Sequence, residues 1–191
     1  MSLYHQLLER QQQGRPIRVG LIGAGKFGSM YLSQIPRTPG VHLLGIADLS
    51  PQRAQDNLRL VGWPEHQTQA RSLAQALAEG STCVNDDWRA LVEHPALDVL
   101  VECTGSPPHA VEHILHAFAH GKHVVNVTVE ADAFCGPLLA RKASDAGLVY
   151  SMAFGDQPAL ICDLVDWART CGFPVVAAGR GHKWLPHFCE S

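Results

Sequence analysis

Two spacings alternate along this chain. Short apolar runs at residues 17–22, 41–47, 98–103 and 123–129 are too brief for helices and apolar on both faces. That is the pattern of strands covered on both sides. Weaker runs at 82–85, 148–154 and 174–178 predict three further strands. The segments between carry apolar residues three and four apart and predict helices. Their expected spans are 26–35, 52–60, 72–79, 87–93, 107–120, 137–145 and 158–171, closed by breakers such as Pro36, Pro64, Pro95 and Gly172. Ser50 and Pro51 read as N-cap and first helical residue, and Gly147 as a helix stop. Leu3, Leu7 and Leu8 predict a helix over 2–13 that leans on the domain edge. In the helix from Pro107 the stripe Val111, Ile114, Leu115 and Phe118 is expected to face inward, and in the last helix Leu160, Ile161, Leu164, Val165 and Ala168. Regular alternation of strand and helix makes the fold class α/β, a doubly wound, mostly parallel sheet.

The first strand runs into Gly23-Ala24-Gly25-Lys26-Phe27-Gly28, which has the G-x-G-x-x-G spacing where strand turns to helix. Gly23 permits the tight turn, Gly25 admits a pyrophosphate to the backbone, and Gly28 lets helix and strand pack closely. The helix N-terminus, with Lys26 and Phe27, then faces the negative charge. Asp48 ends the second strand about twenty residues past the last glycine, where a ribose-binding acid belongs. Together these predict a Rossmann-type dinucleotide site. Asp48 would accept bonds from a ribose diol and repel a 2′-phosphate, which favours NAD. Arg53 is either a solvent-facing helix residue or, turned inward, a phosphate partner for NADP.

Bulk composition changes the picture little. The chain has 191 residues, 17% charged and 46% hydrophobic, with a net charge of −3, enough for a full core and with no basic surface for nucleic acid. No apolar run reaches the roughly 20 residues needed to span a bilayer. Residues 1–14 are polar, without a secretory apolar core, and the six scattered cysteines include no C-x-x-C pair. The expectation is a cytoplasmic protein with reduced thiols and no membrane partner.

Ligands of such sheets bind beyond the carboxyl ends of the strands. Thr104, Gly105 and Ser106 follow the fourth strand and would border the nicotinamide. Glu130 and Asp132 follow the fifth, and Asp156 the sixth. These acids are candidates for proton relay or cation binding, and Asp132 and Asp156 are equally good N-caps. Lys183 would steady a substrate carbonyl or phosphate, or is a surface lysine. Cys103 reads as packing at a strand end. His109, His113, His116 and His120 lie along one face of their helix, at a spacing that grips zinc. With no carboxylate or cysteine in the stripe, they read as a solvated face, and no metal site is assigned.

With these residues in hand, the chain resembles the N-terminal part of the homoserine-dehydrogenase-like oxidoreductases. It is most similar to the branch described as DXR-like (1-deoxy-D-xylulose 5-phosphate reductoisomerase-like), or SAF-domain, proteins. The resemblance rests on residues 16–28, on Val101-Glu102-Cys103-Thr104-Gly105, on residues 125–132 and on residues 150–158. It implies NADPH-using oxidoreductases of two or three domains, often dimeric, whose nucleotide loop corresponds to Gly23, Gly25 and Gly28 and whose nicotinamide-side turn corresponds to Thr104 and Gly105. Homoserine dehydrogenases carry a functional lysine after the fifth strand. This chain has Thr128-Val129-Glu130-Ala131 there, which argues against homoserine as substrate. A reductoisomerase-like activity would also require a divalent metal. Relatives of this kind continue past the position of Ser191, so the chain resembles a truncated form.

The expected organisation is an N-terminal helix over 1–15, an NAD(P)-binding domain over 16–179 and the start of a second domain over 180–191. The expected function is that of an NAD(P)-dependent oxidoreductase (EC 1.1.1-like) acting on a small hydroxy-carbonyl substrate, phosphorylated or not. Glu130, Asp156 and Lys183 would sit near the reacting carbon, and a homodimer would cover apolar surface left without its partner domain. The other reading is a module that binds the cofactor without turnover.

Overall fold

The computed structural model describes residues 2–153 and 157–179. Its elements follow the chain as α1 (Leu3–Gln12), β1 (Ile17–Ile22), α2 (Lys26–Gln34), β2 (Val41–Ala47), α3 (Pro51–Leu60), α4 (Leu73–Glu79), β3 (Cys83–Asn85) and α5 (Trp88–Glu93). The second half adds β4 (Val99–Glu102), α6 (Pro107–Ala119), β5 (His123–Asn126), α7 (Val129–Asp145), β6 (Tyr150–Met152) and α8 (Gln157–Thr170). The six strands form one sheet in the order β3-β2-β1-β4-β5-β6. Pairings of β1 with β2 and β4, of β2 with β3 and of β4 with β5 are all parallel. The order reverses between β1 and β4, and a crevice opens there at the strand ends.

Why the strand runs are apolar throughout is visible in the two cores. Leu21, Leu43, Ile46 and Val101 join Leu32, Ala54 and Leu58 of α2 and α3 on one side of the sheet. Ile22, Leu44, Ala47 and Leu100 join Leu73, Leu91, Ile114 and Leu139 from α4 to α7 on the other. Each fully buried leucine contributes roughly 1.5–3 kcal/mol relative to exposure. The β1–β2 register slips at Val19/Gly20, leaving Leu44 as an extra residue on β2. A bulge of this kind turns two successive residues to the same face. Leu44 and Gly45 accordingly both meet the second core, and a Cβ at Gly45 would stand 2.8 Å from methyls of Leu73 and Leu91.

Several elements differ from expectation. Residues 174–178 form no strand, so the seventh strand is absent among the described residues. An apolar run of this length needs an edge to pair with, and composition does not supply one. The helix expected from 137 is present, following a kink with non-helical backbone at Cys135, and a further, unexpected short helix from Val129 precedes the kink. Proline donates no N–H and crowds the preceding turn, so the helix is kinked there. In α6 the inward residues are Ala110, His113, Ile114, Ala117 and Phe118, while Leu115 is 38% exposed. In α8 Leu160 and Leu164 are exposed.

Two buried contacts fix the frame around the sheet. Lys122 donates from Nζ to the carbonyls of His94 and Leu97, both at 2.9 Å, closing the turn between α5 and β4. Burial holds its ammonium below the ordinary lysine range, against the upward pull of Asp98. At the N-terminus Gln11 Oε1 accepts from the N–H of Gly40 at 3.1 Å, so α1 rests on the turn before β2 with none of its residues buried. The residues group into two compact units, Met1–Ser151 and Met152–Ser191. Among the described residues no helix is long and apolar enough to cross a membrane.

The bulge carries a prediction. Gly45→Ala is expected to cost about 1–3 kcal/mol by overpacking, and Leu91→Ala about 2–5 kcal/mol by leaving a cavity. In the double variant the new methyl enters the vacated space. Urea denaturation should therefore give a combined loss smaller than the sum of the two.

Candidate functional site

The crevice is floored by the turn from β1 into α2, and the three glycines do three different things. Gly23 has φ +93°, and a Cβ there would stand 2.8 Å from the Cys103 carbonyl oxygen. At Gly28 a Cβ would lie 2.5 Å from the Gly23 carbonyl oxygen, so α2 packs on its own loop. Gly25 has nothing within 4 Å of that position and lines the cavity, leaving backbone open to a ligand. Gly25 is also the N-cap of α2, and no side chain caps the helix. The first-turn N–H groups of Lys26, Phe27 and Gly28 therefore lack intrahelical partners and form an anion site. The side chains of Lys26 and Phe27 are exposed and do not line the cavity.

The loop is held at Ala24, whose two flanking peptide groups are gripped from opposite sides. Its N–H donates to Asp48 Oδ2 at 2.8 Å, and its carbonyl accepts from Asn57 Nδ2 at 2.7 Å. The other oxygen of Asp48 accepts from the N–H of Ser50 at 2.8 Å and from Arg53 Nη2 at 2.9 Å. Three of the carboxylate's roughly four acceptor positions are thus filled. Arg53 is 60% exposed along its side chain while that of Asp48 is 4% exposed, so the arginine covers the acid from the solvent side.

Opposite stands the turn after β4. Glu102 is wholly buried, and its carboxylate accepts from Thr104 Oγ1 at 2.6 Å and from Thr128 Oγ1 on its second oxygen. His113 Nδ1 lies 3.3 Å from Glu102 Oε1. Thr128 Oγ1 in turn accepts from the N–H of Gly105 at 3.1 Å. One buried acid therefore ties β4, the 104–106 turn, α6 and the turn before α7 together, because a carboxylate taken out of water needs each donor it can reach. Beyond it, Asn126 Oδ1 accepts from the N–H of Thr128, and Tyr150 donates to Asp132 Oδ1 at 2.9 Å. Burial, reinforced by Asp132, raises the Tyr150 phenol above its ordinary range and keeps it a donor.

Between these walls lies a cavity of about 250 Å³ lined by Gly23, Gly25, Asp48 and Arg53 on one side and by Thr104, Ser106 and His109 on the other. Its roof includes Trp88, whose ring meets His113 edge-on at 4.4 Å. Of the expected residues, Gly23, Gly25, Asp48, Arg53, Thr104 and Ser106 come together here. Gly28 and Gly105 support them from behind. Glu130 is exposed in the first turn of α7 and does not line this cavity. The N-cap of α7 is Thr128, and Asp132 serves as the acceptor of Tyr150. Asp156 and Lys183 lie outside the described residues.

Sequence reasoning missed Asp86, Trp88, Asn57 and the buried role of Glu102. It also placed His113 on a solvated face, whereas it is 5% exposed beneath Trp88. A signal existed for His113, since it stands three residues after Ala110 and four before Ala117, within the inward stripe. The residues fit a dinucleotide: an uncapped helix N-terminus for the phosphates, an open Gly25, and an acid at the end of β2.

Comparison with known proteins bears on the same residues. The family described as "Homoserine dehydrogenase, NAD binding domain" matches residues 23–149. Residues 155–191 match the family described as "Oxidoreductase DRL, catalytic domain". A homoserine dehydrogenase of Methylobacillus glycogenes is 30% identical over 140 residues, covering 69% of this chain and 30% of that protein. "Glycosyl hydrolase family 109 protein 1" of Phocaeicola vulgatus is 32% identical over 107 residues, covering 56% and 21%. The chain thus spans less than a third of the length of either relative. A solved homoserine dehydrogenase from Thiobacillus denitrificans shares the fold with a TM-score of 0.60 at 22% identity, over 81% of this chain and 34% of that one.

Cys103 at the cavity wall donates its thiol proton to the Gly23 carbonyl at 2.8 Å. Burial, with Glu102 and Asp48 nearby, pushes the thiol well above its ordinary range, so it stays protonated and unreactive at and above neutral pH. Cys162 and Cys171 are exposed. Alkylation with iodoacetamide, mapped by mass spectrometry from pH 7 to 9, should label those two and spare Cys103. Labelling of Cys103 at comparable rate in the folded protein would contradict this reading of the wall.

Proposed function

Because the chain belongs to the family of homoserine dehydrogenase NAD-binding domains, we propose that it holds NAD at the switch point of its sheet, for hydride exchange with a small hydroxy-carbonyl substrate. It is the NAD-binding domain of an oxidoreductase. The observation that carries the cofactor assignment is the uncapped start of α2 beside Asp48 on one wall of the cavity. When bound, the nicotinamide supplies or accepts the hydride. This chain's residues bind and orient: the first-turn N–H groups of α2 hold the pyrophosphate, and Asp48 takes a ribose hydroxyl on its remaining acceptor position. Thr104, Gly105 and Ser106 border the nicotinamide side, in a turn braced by Glu102 and Thr128.

NAD is favoured over NADP because Arg53 is already engaged with Asp48, and a 2′-phosphate would have to break that pair before using the arginine. The acid itself would repel the phosphate. The substrate-side chemistry falls to residues of the second unit. Asp156 and Lys183 lie in the stretch that matches the DRL catalytic domain, which supports them as the groups near the reacting carbon, ahead of Glu130. The same match supports the DXR-like branch, and with it a phosphorylated substrate.

Titration with NADH and NADPH, following tryptophan emission and heat, tests this. NADH is expected to bind more tightly, and Asp48→Asn to weaken it about 10- to 100-fold through loss of a charge-assisted bond. Tighter NADPH binding would overturn the preference for NAD, and binding of neither would overturn the site. A gain of reduced-nicotinamide absorbance from NAD with hydroxy compounds, or its loss from NADH with keto compounds, phosphorylated and not, then separates an enzyme from a module that only binds.

A further inference from the structure

α5 and α6 lie side by side with their polar residues in register. Arg89 pairs with Glu112, and one turn further along both helices Glu93 pairs with His116, the same 23-residue offset. One more turn of α6 brings His120, whose ring centroid is 4.4 Å from that of His116. Glu93 Oε1 is 2.9 Å from His116 Nε2, and the three potential ligand atoms of Glu93, His116 and His120 all lie within 4.8 Å of one another. The carboxylate missing from the histidine stripe is thus delivered by the preceding helix.

We propose that Glu93, His116 and His120 form a binding site for a divalent transition metal of the zinc class, with the fourth position left to water. Three features support a ligand set over a chance meeting. The two histidines are four apart on one helix face, the spacing that points both rings at one ion. His120 Nδ1 sits 2.9 Å from the His116 carbonyl oxygen. A carbonyl there accepts a hydrogen bond from Nδ1–H, which favours the tautomer with a free lone pair on Nε2, the usual outer contact of a metal-bound histidine. The third ligand is an anion, and tetrahedral zinc with two imidazoles and one carboxylate needs contacts of about 2.0–2.2 Å, reached by drawing the three groups together by rotamer adjustment. At His116 the metal takes the Nε2 lone pair in the tautomer whose single ring proton sits on Nδ1, and so replaces the Nε2 contact with Glu93. Trp88, edge-on to His116 at 5.2 Å, also lines the nucleotide cavity, so an ion here would staple α5 to α6 beside that wall.

The test uses tag-free full chain titrated with Co2+, read by visible absorption, and with Zn2+, read by calorimetry and by thermal denaturation. One equivalent per chain is expected, with a rise in melting temperature. His120→Ala and Glu93→Ala, both at exposed positions, should each weaken binding by more than about 10-fold with unchanged circular dichroism. His66→Ala, an exposed histidine elsewhere, should leave it unchanged. Absence of stoichiometric binding by the unmodified chain, or binding that survives both substitutions, would overturn the site. NADH affinity of the metal-free protein is independent of this outcome.

Discussion

The crevice depends on one residue whose two flanking peptide groups are held from opposite sides. Ala24 is wholly buried, and its N–H and carbonyl are taken by Asp48 and Asn57, which come from the end of β2 and from α3. A glycine-rich turn has high conformational freedom, and ordering it costs more entropy than ordering other residues. Without that grip the first-turn N–H groups of α2 would not converge on one point. Asp48 therefore acts twice, as a clamp on the loop and as a charged wall of the cavity, and Arg53 closes it off from solvent. The cofactor meets a surface already fixed, and little ordering is left to pay on binding.

The same logic repeats on the far wall with a different acid. Glu102 collects donors from two threonines and approaches His113, so three separate segments share one buried carboxylate. A buried charge or acid is costly unless its lone pairs are matched, which makes the arrangement all-or-none. The two walls are linked by Cys103, whose thiol bonds the Gly23 carbonyl. Loop, acid and turn are thus parts of one hydrogen-bonded frame built at the reversal of strand order.

Much of this frame was legible in the residues. Gly23, Gly25 and Gly28 announced their roles through spacing alone, because each is dictated by backbone sterics, a local property. Asp48 was legible because strand length fixes where β2 ends. Other features were not, since they depend on which helix lies beside which. Glu93 meets His116 only through the packing of α5 on α6, and nothing in either segment names the other. His113 looked like a surface residue until Glu102 and Trp88 covered it. The apolar run at 174–178 has strand composition and no strand, for pairing is decided by an available edge.

The kink in α7 has a mechanical consequence. Pro137 cannot donate to the carbonyl one turn earlier, and the backbone at Cys135 leaves helical geometry. The hydrogen-bond ladder is interrupted there, and the helix consists of two rods with a joint. The longer rod carries Leu139 and Ala143 into the core. The shorter one is tethered by Asp132 to Tyr150 and bears Glu130 on its outer surface. This rod is held at its start by Thr128, bonded to Glu102 and Gly105, and along its length by buried Ala131 and by Asp132 on Tyr150. The interrupted ladder thus lets each rod take its own direction, the short one following the frame around Glu102 and the long one following the core.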